Sequence, residues 1–301
     1  MSSTVTDATT APEGTAARPV RRGSGPTLRT RAGRIGPHVV LLAYTAVACV
    51  PILLVVMNSF KSRSAIFSSP FSMPTPESFS LAGYETVFAR ARFELYFFNS
   101  FTVTIVSVFL VLLFGAMAAF ALAEYDFRGN ALLGLYLAIG IMIPIRLGTV
   151  SILQLLVGMN LINSLFGLIL VYTAMGLPLA VFVLTLFFRQ VPKELKEAAR
   201  VDGASEYWVF RMVIPLVRPG LAAIAVFSML PIWNDLWFPL ILAPGEHVRT
   251  VTLGAQLFLG QFVSDWNAVL AVLTLAMLPM MALYIIFSKQ FMQGLTSGAI
   301  K

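Results

Sequence analysis

Two formally charged residues interrupt long apolar runs of this sequence and are the first candidates for chemistry. Arg146 separates the charge-free runs 130–145 and 147–188, and Asp235 follows the charge-free run 219–234. A charge at bilayer depth costs ~2.5–3.5 kcal/mol on insertion scales, so each should face water, a solute or an opposite charge. We predict that they line a solute path. A structural ion pair that holds two helices together is the equal alternative.

Aromatic and amide side chains flank Asp235. Its two tryptophan neighbours could stack on a sugar ring, but tryptophan is also enriched at membrane interfaces for reasons unrelated to ligands. The neighbouring asparagine could hydrogen-bond to a solute or to another helix. With packing as the alternative, we assign five residues to a candidate substrate path: Arg146, Trp233, Asn234, Asp235 and Trp237.

A charged segment between two apolar runs has the composition of a docking surface. After the helix-starting Pro192, residues 193–200 repeat charge at helical spacing, with acidic residues in the first half of the predicted helix. Gly203 can adopt a positive φ and end this helix, so that a second helix begins at an angle from Ala204. Tyr207, Trp208 and Phe210 would then be exposed unless a partner covers them. A helix lying on the membrane surface is the rival interpretation.

The sequence lacks the motifs of common enzyme classes. It contains no Gly-x-x-x-x-Gly-Lys-Ser/Thr, no Gly-x-Ser-x-Gly and no His-Glu-x-x-His. The two histidines, His38 and His247, lie far apart, and Cys49 is the only cysteine, which excludes an internal disulfide and a cysteine metal site. We predict a chain that is not an enzyme, that holds no metal or cofactor, and that takes its energy from another subunit. Cys49 is predicted to be a small packing residue.

The composition requires a membrane around these residues. Hydrophobic residues make up 58% of the chain and charged residues 12%, with a mean hydropathy of +0.83, whereas an ordinary soluble domain is about 25% charged. About 20 apolar residues cross a bilayer as a helix. The apolar runs therefore predict six spans, near residues 37–59, 95–123, 131–157, 163–188, 217–242 and 266–289.

Local signals refine these spans. The stretch 158–163 reads as a tight loop between the third and fourth spans. The small residues of 115–121 predict close packing of the second span against a neighbour. Prolines inside the spans predict kinks at four positions, namely Pro144, Pro178, Pro231 and Pro239.

The distribution of lysine and arginine predicts the orientation, since cytoplasmic loops carry an excess of both. An N-terminus inside the cell puts fifteen of these residues on the cytoplasmic side and five outside. Both termini and residues 190–216, here called the coupling segment, are then cytoplasmic, and residues 61–94 are extracytoplasmic with a short helix near 84–88. Residues 1–34 have the composition of a disordered tail, which leaves 35–301 as the transmembrane domain. Topology and anionic lipid explain the net charge of +7 without nucleic acid.

The coupling segment resembles the cytoplasmic coupling motif in membrane subunits of binding-protein-dependent ABC importers. The resemblance rests on the run 197–199, on 203–205 three residues later, and on 214–216, where Pro215 lies one residue closer to Gly203 than in the usual pattern. The runs 233–240 and 294–301 are similar to the second permease of maltose-type carbohydrate importers. The resemblance implies ATPase-coupling roles for Glu197, Ala198, Ala199, Asp202, Gly203, Ala204, Ser205, Tyr207 and Phe210.

This resemblance implies an all-α integral membrane protein of six transmembrane helices with a cytoplasmic coupling helix, the type I permease fold of ABC importers. It implies the permease subunit of an ATP-driven importer for a sugar or oligosaccharide, located in the plasma (inner) membrane of a bacterium. The implied partners are a homologous permease in a heterodimer, ATPase subunits that bind ATP and Mg, an extracytoplasmic sugar-binding protein and membrane lipid. A secondary-active solute transporter is the alternative, although no internal repeat supports it.

Overall fold

The computed structural model describes residues 28–260 and 264–296, and within these ranges the fold is helical with one isolated antiparallel bridge between Lys61 and Phe79. The predicted tail up to residue 27 and the C-terminal residues 297–301 lie outside the described residues. The α-helices are α1 (Leu28–Ser59), α2 (Arg63–Ser68), α3 (Ala82–Arg90), α4 (Phe93–Glu124), α5 (Asn130–Met142), α6 (Thr149–Gly158), α7 (Leu165–Arg189), α8 (Lys193–Val201), α9 (Glu206–Val213), α10 (Arg218–Asn234), α11 (Trp237–Leu242), α12 (Val251–Ala255) and α13 (Trp266–Thr296).

Five stretches of helix are long and apolar enough to cross a membrane, and a bent pair supplies a sixth. The five lie in α1, α4, α7, the α9–α10 region and α13, close to the predicted positions. The sixth, over 130–158, bends by 87° at a short break. The kink predicted at Pro144 is therefore confirmed, although it separates the predicted span 131–157 into two helices. Pro144 explains the break. A proline disfavours helical backbone in the residue before it, and Ile143 is indeed extended, at φ −72° and ψ 122°.

The fifth predicted span is also broken. α10 ends at Asn234 and α11 begins at Trp237, and Asp235 between them has extended backbone, at φ −73° and ψ 131°. The prediction of one helix over 217–242 is therefore wrong at this position. The break leaves backbone N–H groups at the start of α11 without partners within that helix.

The tight loop predicted at 158–163 is confirmed. α6 ends at Gly158 and α7 begins at Leu165. Asn160 and Asn163 adopt positive φ values of 55° and 54°, which asparagine tolerates better than most residues. The Asn163 side chain accepts a hydrogen bond from the Gly245 N–H at 2.9 Å. The loop is thus attached to the region that follows α11.

The centre of the fold lies between α4 and α7, which pack along much of their length. Small residues make this possible. A Cβ added to Gly115 would lie 2.8 Å from the Ala180 Cβ, and one added to Gly176 would lie 2.6 Å from a Val111 methyl carbon. The predicted packing role of the small residues in the second span is confirmed, because dispersion contacts at short backbone distance hold helices together in lipid.

Residues Met1–Ile52 and Leu53–Lys301 form two separate units, so the first half of α1 is described by itself. α1 begins at Leu28, upstream of the predicted domain boundary at residue 35. Its side chains from Gly36 to Ile52 are exposed in the single chain, and they include Cys49, whose packing role stays a prediction.

The segment 61–94 is organised around a buried lysine. Ser62 N–H donates to the Ser78 carbonyl at 2.7 Å on one side of the isolated bridge. The Lys61 amine donates to the Ser69 carbonyl at 2.9 Å, and burial lowers the pKa of this amine. The Asn267 side chain donates to the Lys61 carbonyl at 2.7 Å, which attaches the segment to α13. The short helix predicted near 84–88 is confirmed as α3.

Candidate coupling surface and transmembrane polar site

The coupling segment forms two short helices joined by a glycine turn, as predicted. α8 ends at Val201, and Gly203 follows with a φ of +84°, a conformation that disfavours side chains with a Cβ. The Ala204 N–H then donates to the Ala199 carbonyl at 2.9 Å, which closes the end of α8. Ser205 is extended and precedes α9. The turn therefore sets the angle between the two helices.

One side of this helix pair is exposed. Glu197 and Ala198 on α8, and Tyr207 and Trp208 on α9, all face solvent in the single chain, as do the turn residues Asp202, Gly203 and Ser205. The Arg211 guanidinium lies 5.5 Å from the centre of the Trp208 ring. An exposed aromatic patch of this kind is typical of a surface that contacts either a protein partner or a membrane.

The opposite side packs on the transmembrane helices. The Phe210 ring lies 5.3 Å from Phe120 and 6.4 Å from Phe188, measured between ring centres. Phe210 is thus partly buried against this core rather than exposed as expected, while its predicted coupling role stays a prediction. Phe210 lies three residues before the buried Val213, which brings its ring to the buried side of α9, where it is partly buried. Ala199 and Ala204 also pack against this core, partly buried.

An ion network that we did not predict attaches α8 to α4. The Glu124 carboxylate, at the last residue of α4, pairs with Lys196 and with Arg200, and the Arg200 contact measures 2.7 Å. The Glu124 side chain is only 9% exposed and that of Lys196 only 6%. The buried Glu124 carboxylate has two cationic partners that compensate its charge. Any one of these three charged side chains would be unfavourable here without the others.

The network continues outward to α9. Arg200 Nε donates to Glu206 at 2.8 Å, and the Tyr125 hydroxyl donates to the same carboxylate at 2.6 Å. Hydrogen bonds to Glu206 and Glu124 raise the pKa of the Arg200 guanidinium. Partial desolvation, together with the Glu206 hydrogen bond, raises the pKa of Tyr125 to about 12. Four charges and one hydroxyl thus connect α4, α8 and α9.

Two sequence signals could have revealed this network. Glu124 is the first acidic residue after a long apolar run, and Lys196 and Arg200 are four residues apart, which puts them on one side of a helix. The sequence analysis used Lys196 and Arg200 only as positive charges that indicate the cytoplasmic side. The pairing itself joins residues 72 positions apart and is not readable from local pattern.

The second candidate site surrounds Asp235, in the break between α10 and α11. Its carboxylate accepts hydrogen bonds from the Tyr172 hydroxyl at 2.9 Å and from the backbone N–H groups of Trp237 and Phe238, both at 3.2 Å. The carboxylate therefore supplies partners to the start of α11. Its side chain is 10% exposed, and Arg146 Nη2 lies 3.8 Å away with 69% of its side chain exposed.

Arg146 and Asp235 are therefore brought together, as one of our alternatives requires. They border a cavity of ≈ 210 Å³ together with Tyr172, Ser228 and Phe238. A solute in this cavity would meet a cation on one side and the Tyr172–Asp235 pair on another. The cavity size fits a small polar group rather than a whole oligosaccharide.

The other three predicted path residues do not line this cavity. Trp233 is buried, and its indole N–H donates to the Ala276 carbonyl at 3.1 Å, so it packs between helices. Asn234 donates to the Leu230 carbonyl at 3.0 Å within its own helix. Trp237 is exposed but its indole N–H donates to Thr149 Oγ1 at 3.0 Å. The assignment of Trp233 to the path is wrong, because its polar atom is already bonded and its ring is enclosed.

Comparison with known proteins assigns the family. Residues 111–297 match the family described as "Binding-protein-dependent transport system inner membrane component". The chain belongs to this family. The matched region begins in α4 and includes both helices of the coupling segment and the Arg146–Asp235 cavity. The chain is thus a multi-pass inner-membrane transport subunit and not itself an enzyme, and transport through it depends on ATPase subunits and a substrate-binding protein.

Several proteins similar to this chain are permeases named for saccharide uptake. The diacetylchitobiose uptake system permease protein NgcG of Streptomyces coelicolor is 33% identical over 88% of this chain and 88% of its own length. The melibiose/raffinose/stachyose import permease protein MelC of Bacillus subtilis is 34% identical over 91% and 98%. A solved chain from a bacterial ABC transporter that imports the acidic polysaccharide alginate shares the fold, with a TM-score of 0.76, 21% identity, and coverage of 88% of this chain and 98% of that one.

Proposed function

We propose that this chain is the permease subunit of an ATP-driven importer for a sugar or oligosaccharide, and that an ATPase subunit docks on its coupling segment. The proposal rests on one observation above all. α8 and α9 expose an aromatic surface on one side and are tied into the transmembrane core on the other. The printed names of the relatives, which describe diacetylchitobiose and melibiose/raffinose/stachyose uptake, support a saccharide substrate.

The proposed assembly rests on two features of the sequence, the absence of a nucleotide-binding motif and the distribution of charge. A homologous permease completes the path as a heterodimer, and an extracytoplasmic binding protein delivers the saccharide. ATP and Mg bind to the ATPase partner. The excess of lysine and arginine supports a cytoplasmic location for the coupling segment and for both termini.

The two contacts of the coupling segment explain how movement could reach the bundle. When ATP draws the ATPases together, the docked α8–α9 pair moves with them. Phe210 pushes on Phe120 and Phe188, and Lys196 pulls on Glu124, so α4 and α7 tilt with the coupling segment. The tilt changes the populations of inward- and outward-facing states, and nucleotide binding provides the differential free energy.

Within the bundle, we propose that Arg146 and Asp235 border the substrate path, with Tyr172 as a further hydrogen-bonding group. The exposed guanidinium and the cavity between it and Phe238 support this position. The structural role of Asp235 at the start of α11 does not compete with it, because one carboxylate can both cap the helix and hold Arg146.

Reconstitution tests the function. Proteoliposomes that contain the complete transporter should accumulate labelled di- and oligosaccharides when ATP is on the coupling-segment side and the binding protein is on the other. Proteoliposomes with this chain alone should accumulate none. Uptake by the chain alone, driven by an ion gradient, would instead favour a secondary-active transporter and contradict the proposal.

Cysteine labelling tests the orientation. With Cys49→Ser as background, Ser205→Cys in the coupling segment and Ser72→Cys in the segment 61–94 form a matched pair of exposed single cysteines. In cells that lack the ATPase subunit, so that Ser205→Cys is uncovered, a membrane-impermeant maleimide applied to spheroplasts should label Ser72→Cys only. Inverted vesicles from the same cells should give the reverse. The opposite pattern would refute the proposed direction.

A further inference from the structure

A groove between α5 and α7 opens next to the coupling segment and belongs to neither site described above. Its volume is ≈ 320 Å³, and it continues into a wider opening of ≈ 780 Å³ that shares Asn130 and Arg189 with it. Asn130 is the first residue of α5 and Arg189 is the last of α7, so the opening lies at the start of α5 and the end of α7.

The groove changes character along its length. Its inner part is lined by apolar side chains, among them Leu137 from α5, and Phe182 and Leu186 from α7, the last two about half exposed. Its mouth carries Arg189 and Lys193. One continuous depression therefore has an apolar interior and a cationic entrance.

The depth of these groups matches the layers of a bilayer. α7 has 25 residues, or ~37 Å at 1.5 Å per residue, against a hydrocarbon core of ~30 Å. Its last residue, Arg189, consequently lies near the headgroup level. Phe182 lies seven residues earlier, ~10 Å further into the hydrocarbon. A molecule that fits would need an anionic head and an apolar chain in that order.

The cations at the mouth differ in pairing from the neighbouring bases. Among the described residues, Lys196 and Arg200 are paired with carboxylates, while the side chains of Arg189 and Lys193 make no hydrogen bond or ion pair. One acidic residue, Asp126, also lines the mouth and weakens the attraction for an anion. The balance is still positive, because two bases face one acid.

We propose that this groove binds an anionic phospholipid. The phosphate lies between Arg189 and Lys193, and one acyl chain runs along Leu186 and Phe182 between α5 and α7. Basic pockets between transmembrane helices recognise lipid headgroups in this way. A bound lipid would fill the gap beside α5, a helix with no buried residue in the single chain, and would connect the start of the coupling segment to membrane composition.

Native mass spectrometry of the complete purified transporter tests this, with palmitoyl-oleoyl phosphatidylglycerol as the probe and phosphatidylcholine of the same chains as comparison. Arg189→Gln combined with Lys193→Gln should weaken phosphatidylglycerol binding by about 25-fold, at about fivefold per base, and leave phosphatidylcholine unchanged. Arg218→Gln, at another exposed base with no partner among the described residues, is the matched control and should change neither.

Asp126→Asn supplies a second variant with the opposite sign. It removes the only acid that lines the mouth among the described residues and should strengthen phosphatidylglycerol binding by about fivefold. Equal affinity for the two lipids in the unmodified transporter, or equal loss in the double variant and the Arg218→Gln control, would overturn the proposal. The measurement needs neither saccharide nor ATP, so its failure is independent of the proposed transport function.

Discussion

The buried carboxylate at the end of α4 gives the sharpest test of how the coupling segment is attached. Glu124→Gln keeps the shape of the side chain and removes its charge. Lys196, 6% exposed, then has no opposite charge among the described residues, and Arg200 keeps only Glu206. Breaking a buried pair by removing one partner typically costs 3–5 kcal/mol. Because the Lys196 amine lies at the bundle end and can move toward water, we expect about 3 kcal/mol here.

Glu206→Gln is the matched control. It removes a carboxylate from the same network, but this side chain is 49% exposed, and exposed pairs contribute only about 0–1 kcal/mol. We therefore expect the apparent melting temperature of the purified transporter to fall clearly for Glu124→Gln and little for Glu206→Gln. Adding Lys196→Met to Glu124→Gln should restore part of the loss, since it removes the unpaired charge.

The same variants test force transmission. If Lys196 and Glu124 carry movement from α8 to α4, Glu124→Gln should lower the number of saccharides taken up per ATP hydrolysed, in transporter that is still assembled. Glu206→Gln should leave this ratio near the unmodified value. Equal melting temperatures and equal uptake per ATP for the two variants would refute both the stability estimate and the mechanical role.

Three further substitutions follow from the geometry. Gly203→Val forces a β-branched residue to a φ of +84°, which should cost about 1–3 kcal/mol. It should reduce ATP-driven uptake more than it reduces membrane abundance, measured by immunoblot of the same vesicles. Equal loss of both would contradict a coupling role. Asp235→Asn should lower uptake by about tenfold or more while membrane abundance is kept. The Asn side chain can still accept the hydrogen bond from the Trp237 N–H, but it no longer attracts the Arg146 guanidinium. Unchanged uptake would remove this pair from the path. The pKa of Tyr125 is raised to about 12, so the folded state holds this proton more tightly than the unfolded state does. The stabilisation relative to Tyr125→Phe should be complete below pH 10 and fade from about pH 10 to pH 12. A constant difference in melting temperature over that window would argue against the Tyr125–Glu206 bond.

The polar site shows where sequence reasoning was sufficient and where it failed. Arg146 and Asp235 were recognisable because charge within an apolar run is costly, and this cost acts on each residue alone. For the neighbouring Trp233 and Asn234 the sequence could not separate packing from ligand binding, because the same residue types serve both equally well. Which use applies depends on whether the indole N–H or the amide already has a partner, and those partners, the Ala276 and Leu230 carbonyls, are known only from the structure.

Several properties of the protein can be read from the sequence alone, because they depend on residues that are close together in the chain. The apolar runs specify where helices can span a membrane, the glycine at 203 permits the turn between α8 and α9, and the asparagines at 160 and 163 permit the loop before α7. Each follows from hydropathy or from backbone sterics within a few residues.

The three-dimensional structure was needed to show which side of α9 faces the bundle, that Glu124 receives Lys196 and Arg200, and that the fifth span is broken at Asp235. These outcomes depend on contacts between residues that are distant in sequence. Phe210 packs on the rings of Phe120 and Phe188, and Lys196 is buried beside a carboxylate of another helix that pairs with it. A buried charge is stable only with its partner in place, so its position cannot be read from either segment alone.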